Sequence, residues 1–273
     1  MDAVLLQRLS QITEEERELL QGRGVDRALY ASGRAFEVDA AKMLEKGKLM
    51  SIRPHTRFAP FPRHSHNYVE IMYMCRGKTV HRIDGDALVT LEAGELLFLN
   101  RHASHAIQRA DAGDIAVNFI VLPQFFDEAF NMAGMDNVLS RFLLGELYTG
   151  GAAVSYLHFR VREVLPVQNL VENMVWTLVN RQPGARRINQ VTMGLLLLQL
   201  MHYTECIDMS RNGSVRSPMV EAALREIEEN CRAASLTDVA AAFHVGLPYL
   251  SAEVKRATGS TFKELLLHKR LDK

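Results

Sequence analysis

The chain has 273 residues, 48% of them hydrophobic and 23% charged, a globular balance that excludes a disordered chain and suits about two domains. Lys plus Arg equals Asp plus Glu at 32 each, so nothing global marks a nucleic-acid binder and any such role must rest on a local surface. Three scattered cysteines (Cys75, Cys206, Cys231), an N-terminus without a basic stretch and apolar runs too short to span a bilayer lead us to expect a cytoplasmic protein with no disulfide framework and no membrane partner.

Residues 1–48 read as helical. Leu5, Leu6, Leu9 and Ile12 recur at helical spacing, and Thr13 with Glu16 forms a capping box. From 49 to 123 short apolar or alternating runs are broken by Arg76-Gly77, Asp84-Gly85 and Ala93-Gly94, the texture of an antiparallel barrel or sandwich with a hairpin at Asp84-Gly85. Residues 124–207 return to helical period. Phe125, Phe126, Ala129 and Phe130 open one helix, and Val167–Val179 forms a second with Leu170, Val171, Met174, Val175 and Leu178 on one side. Arg187–Thr204 forms the longest, with Val191, Leu195, Leu198 and His202 along a stripe. Residues 208–217 are polar and read as a linker, and 218–273 carry further short helices.

Six of ten histidines fall between residues 55 and 105: His55, His64, His66, His81, His102 and His105. His64, His66 and Glu70 share parity, so on one strand they would point to one sheet face together with Tyr68, Met72 and Met74. His105 follows in a position from which an antiparallel strand could return. Three imidazoles and a carboxylate converging in a barrel could hold Zn, Mn, Fe or Ni; the same set could instead be the polar lining of a pocket for a small molecule. The expectation is no obligatory cofactor, with His64, His66, Glu70 and His105 as the candidate metal ligands. His64, His66, Tyr68, Glu70, Met72 and His105 are the candidate effector-pocket residues.

His64-Ser65-His66-Asn67-Tyr68-Val69-Glu70, followed by Gly77, resembles the first cupin motif. The second is partly kept: Gly94 and His105 fit, while Asn100, His102 and Arg109 replace the usual Pro, Gly and Asn. Phe58 stands where a glycine is expected.

The C-terminal segment is the most specific. Ser235 or Thr237 caps a helix that would bury Leu236, Val239, Ala240 and Phe243. Val245-Gly246-Leu247 makes a turn, and Pro248 restarts a helix with Tyr249, Leu250, Val254 and Ala257 as its apolar stripe. Thr261 with Glu264 then opens another. Two short helices joined by a glycine turn match a helix-turn-helix, whose second helix enters the major groove.

Leu236-Thr237-Asp238-Val239-Ala240, Tyr249-Leu250-Ser251, Lys255-Arg256-Ala257-Thr258-Gly259, Thr261-Phe262-Lys263-Glu264-Leu265 and Arg270-Leu271 together resemble the AraC/XylS family of bacterial transcription regulators. The resemblance implies an α+β chain: a cupin-like effector-sensing barrel, a helical dimerisation segment and an all-α helix-turn-helix domain. It also implies double-stranded DNA, a small-molecule effector and a second copy of the chain as partners, and no enzymatic activity. Pro248, Tyr249, Ser251, Lys255 and Arg256 are the implied DNA-contacting residues. Two departures stand out. The words stop inside the helix that would lead to the family's second helix-turn-helix, so a shortened chain is expected, and Ala252-Glu253 replace the family's basic residue. From 235 to 273, six basic and four acidic residues leave +2, a modest footprint for phosphate. The competing reading is a metal-dependent cupin enzyme, a dioxygenase or isomerase, with a helical tail.

Overall fold

The computed structural model describes all residues except 34, 86, 150–151, 204–205, 210–217, 232–233, 244, 259 and 272–273. It divides into two units. The first is Met1–Tyr148 with Ala153–Ser210, and the second is Arg211–Lys273 with Thr149–Ala152. The predicted linker at 208–217 falls at this division, though its residues 210–217 lie outside those described.

The strands are β1 (Glu37–Val38), β2 (Met50–Pro54), β3 (Phe61–His66), β4 (Val69–Arg76), β5 (Lys78–Ile83), β6 (Ala87–Glu92), β7 (Leu96–Leu99), β8 (Ser104–Ile107), β9 (Ile115–Val121), β10 (Tyr148–Thr149), β11 (Ala152–Ala153), β12 (Tyr156–Phe159) and β13 (Ile207–Met209). In the first unit the helices are α1 (Ala3–Leu9), α2 (Glu14–Leu20), α3 (Ala40–Met43), α4 (Asp127–Ala133), α5 (Val138–Leu143), α6 (Leu165–Val179) and α7 (Ala185–Met201). One barrel sheet runs β1-β3-β8-β5-β6 and the other β13-β12-β7-β4-β9-β2, and β10 pairs with β11 in a small separate sheet. Among the described residues of these two sheets, neighbouring strands pair antiparallel except β1 with β3. This is the cupin-like barrel the turn signals predict. The β5–β6 hairpin, closed by the Ile83↔Ala87 pair, turns through Asp84 and Gly85, both at positive φ.

β4 shows why its run of six fully buried residues is needed. Val69, Ile71 and Tyr73 join the large outer core with Phe119, Phe125, Phe126, Leu196 and Leu197. Met72 and Met74 face inward with Ile83, Leu91, Leu97 and Leu99. A strand covered on both faces loses the polar alternation of a half-exposed one.

Three boundaries differ from expectation. The first 48 residues are not all helical: β1 adds Val38 beside His66 on β3. The barrel does not close at residue 123, because β12 pairs with β7 through Tyr156↔Leu99 to Phe159↔Leu96 and extends the second sheet from inside the predicted helical segment. On α7 the buried residues include Met193, Leu196, Leu197 and Leu200, so the stripe of Val191 and Leu195 is the exposed one, at 37% and 43%.

The second unit packs α8 (Pro218–Asn230), α9 (Leu236–Ala242), α10 (Leu247–Thr258) and α11 (Phe262–Leu271) around Val220, Ala223, Ile227, Val239, Ala240, Leu250, Val254 and Phe262. Ser235 caps α9 by accepting from the Asp238 amide, and Thr261 and Glu264 form the second capping box at the start of α11. Phe243 and Tyr249, expected inside, are 39% and 54% exposed. Both lie just beyond the arc that Val239, Leu250 and Val254 already fill.

α2 is held to the barrel by a buried ion pair. Glu16 accepts from Arg57 Nε at 2.6 Å and from Arg57 Nη2 at 2.8 Å. Burial raises the Glu16 pKa, but the hydrogen bonds and charge of Arg57 prevail and hold it below the ordinary value. Arg57→Met should cost about 3–5 kcal/mol in urea unfolding, because it leaves a buried carboxylate without its cation. A lowered folded pKa gives stability that is present above the unfolded value and lost as pH falls. Glu16→Gln should therefore flatten the loss of stability below about pH 4.5.

Candidate functional site

The sequence pattern places His64, His66 and Glu70 on one strand, whereas the structure puts the two histidines on β3 and the glutamate on β4. The chain turns at Asn67-Tyr68 and crosses from one sheet to the other. The side chains therefore meet across the barrel lumen rather than along one sheet face. β8 returns as the parity argument requires, with His105 opposite His64, and the two rings stand 4.2 Å apart.

Glu70 is the centre of this set. Asn118 Nδ2 donates to its Oε1 at 3.0 Å, and His105 Nε2 and His66 Nε2 lie 3.3 and 3.8 Å from its Oε2. Burial raises the Glu70 pKa, yet His105 beside it prevails and holds the carboxyl well below the usual range. His64 Nδ1 lies 2.9 Å from the Pro62 carbonyl and His66 Nδ1 2.9 Å from that of Tyr68. A carbonyl can only accept, so both rings carry their proton on Nδ1 and turn a bare Nε2 lone pair inward. Burial pushes His64 down to about 3 and lowers His66, His55 and His81 as well, so the rings are neutral.

The lumen is under-paired. His55 Nδ1 and Nε2, His66 Nε2, Glu70 Oε2, His81 Nδ1, both His105 nitrogens and Asn118 Oδ1 are buried without a hydrogen-bond partner among the described residues. An interior polar group normally has one, so this concentration makes the lumen the candidate site.

A partly open cleft reaches this set, with His55, His64, Glu70 and Asn118 at its polar end and Phe61, Ile107 and Ile120 among its apolar walls. It shares Met43, Arg53, Pro54, His55 and Thr56 with a wider vestibule beside α2.

Of the expected pocket residues, Tyr68, His64 and Glu70 line the cavity. His66 and His105 stand behind them against Glu70. Met72 does not line it: two residues further along β4, it is sealed in the apolar end of the lumen with Met74 and Leu97. His102 faces outward and meets the Gly145 carbonyl at 3.2 Å. Asn118 was not anticipated, although it is the lone polar residue in the apolar run Ile115–Val121.

His64, Glu70 and His105 each offer a ligand atom within 4.8 Å of the others; His66 is outside that group. The Nδ1 proton that Pro62 holds leaves His64 the Nε2 lone pair that metal ligation needs, and with Glu70 and a nitrogen of His105 the three fit a divalent ion. Bound there, an ion would supply a Lewis-acid anchor for a ligand oxygen.

In the second unit, Leu250 and Val254 face the core while Pro248, Tyr249, Ala252 and Lys255 are exposed on α10 and Ser251 is half-buried. The side chain of Arg256 lies outside the described residues.

Residues 51–130 match the family model described as AraC-like ligand binding domain. No curated protein matches the chain. Among solved structures, ToxT from Vibrio cholerae is similar at 12% identity and TM-score 0.45, covering 84% of this chain and 82% of that one. The AraC-like transcriptional activator CuxR follows at 11% and 0.31, covering 76% and 67%. A cupin protein from Bacteroides fragilis is 28% identical over 27% of this chain and 64% of its own, with TM-score 0.23.

Because the four neutral histidines His55, His64, His66 and His81 must gain protons when the chain unfolds, stability should fall as pH drops below the unfolded histidine value near 6.5. The sign follows from the unfolded state binding more protons. The slope should approach about 5 kcal/mol per pH unit near pH 5 if all four stay neutral in the fold. Urea unfolding at a series of pH values measures it, and a slope below about one proton's worth would contradict the buried, neutral assignment.

Proposed function

We propose that this chain, whose residues 51–130 form an AraC-like ligand-binding domain, is a DNA-binding transcription regulator of the AraC type rather than an enzyme, working in the cytoplasm. The observation that carries the reading is the joining of two things in one chain. One is a barrel whose lumen holds a cluster of unpaired polar atoms; the other is a helical unit in which α9 and α10 meet at Val245-Gly246 as in a helix-turn-helix. A small molecule bound at His64, Glu70 and Asn118 would act by preferring one of two arrangements of the chain, shifting how the helix-turn-helix is presented.

Tyr249, Lys255 and the rest of the exposed face of α10 are assigned to DNA. Tyr249→Ala should weaken binding to duplexes enriched from a random pool. Lys255→Ala should reduce the salt slope of log K by about 1, as loss of one phosphate contact does. Fluorescence anisotropy against salt concentration measures both, and a chain that enriches no sequence over random duplex would end the regulator reading.

Ile188, Val191 and Leu195 leave 37%, 37% and 43% of their surfaces exposed along α7, and we assign this stripe to a two-fold dimer, the symmetry that suits paired half-sites. Leu195→Asp should convert dimer to monomer in sedimentation while the circular dichroism spectrum stays that of the parent. No described helix is long and apolar enough to cross a membrane.

A further inference from the structure

The polar end of the cavity has a consistent hydrogen-bonding character. His64 spends its Nδ1 proton on the Pro62 carbonyl, so its Nε2 can only accept. Asn118 donates one amide hydrogen to Glu70 Oε1, and its Oδ1 is an acceptor without a hydrogen bond. Glu70 Oε2 is a third such acceptor, and His66, its proton held by the Tyr68 carbonyl, adds a fourth behind it. Apart from His105, whose Nε2 lies 3.3 Å from Glu70 Oε2, the groups converging here are acceptors.

The cations near the mouth do not offset this character. Arg53 lies 3.5 Å from the Glu15 carboxylate and over the Tyr30 ring. Lys42 donates to the carbonyls of Ala28 and Ala31. A ligand with a carboxylate head would bring a second negative charge beside Glu70 into a buried site, where like charges are costly. A bare metal ion would use three of the donors and leave the apolar walls unmatched.

We propose that the deep end of this cavity receives the protonated amino group of a small organic amine, its N–H groups directed to Glu70, His64 and Asn118 and its apolar body lying along Phe61, Ile107 and Ile120. The assignment rests on the ligand-sensing reading above and names the ligand's class. Charge-assisted hydrogen bonds to a buried carboxylate supply the affinity, and the apolar walls select the body.

The test is calorimetry on the full chain with three probes sharing one body, 2-phenylethylamine, 2-phenylethanol and phenylacetate, and separately with zinc chloride. The amine should bind about tenfold or more tightly than the alcohol, and the acid should not bind detectably. Glu70→Gln should lower amine affinity about tenfold or more while leaving the alcohol nearly unchanged. Asn118→Leu, which keeps the carboxylate, should also weaken the amine, and circular dichroism checks that each variant is folded.

Phenylacetate or the alcohol binding as well as the amine would overturn the cationic assignment and leave the ligand-sensing reading standing. So would amine binding that neither variant alters. Stoichiometric zinc with no organic probe bound at millimolar concentration would overturn both.

Discussion

The structure of the first unit depends on one buried charge. Glu70 sits in the lumen with its carboxyl ionised, and a lone carboxylate in such a place would be prohibitively costly. What makes it tolerable comes from two strands: Asn118 on β9 and His105 on β8. These strands belong to both sheets, so solvating one side chain also ties the two halves of the barrel together. The partial nature of the solvation matters as much. Its second oxygen remains without a hydrogen bond, so a group required by the structure keeps an acceptor to spare.

The sequence showed which residues would converge here but not how. Period-two parity placed His64, His66 and Glu70 together and anticipated the return of His105. The route was wrong: two strands in different sheets face each other, where one strand was expected. Parity survives a sharp corner at Asn67-Tyr68 because both flanking strands keep inward residues on even numbers. The same rule failed for Met72, since sharing a face with Glu70 does not set depth along the barrel axis. Asn118 escaped notice because its role is a diagonal contact to Glu70 that no local spacing encodes.

Helical elements divide in the same way. Capping chemistry is local, and the boxes at Thr13 and Thr261 form as written. Which apolar stripe of a helix is buried is a tertiary matter. α7 is apolar on several sides, and packing against α4 and α6 covers Leu196 and Leu200, not the stripe that period alone picks out. Likewise β12 lies in a stretch that reads as connection between helices until β7 supplies its partner.

The departures from the cupin pattern explain themselves through backbone and packing. Gly77 and Gly94 keep positive φ, and a Cβ at Gly94 would meet Arg162 at 2.8 Å, so these positions admit little else. Phe58, at the expected glycine, nevertheless adopts φ of 72°, a conformation costing a non-glycine residue about 1–2 kcal/mol. Its neighbours hold it there. Its amide donates to the Ala110 carbonyl at 2.8 Å, and Arg57 beside it is locked to Glu16. Two residues earlier still, His55 contributes its ring to the cavity. One short segment thus links the ion pair with α2, the strained turn and the polar lining, so relief of strain at Phe58 would be felt at the cavity wall. A motif glycine can be replaced here because tertiary contacts set the backbone angle that glycine would have allowed for free.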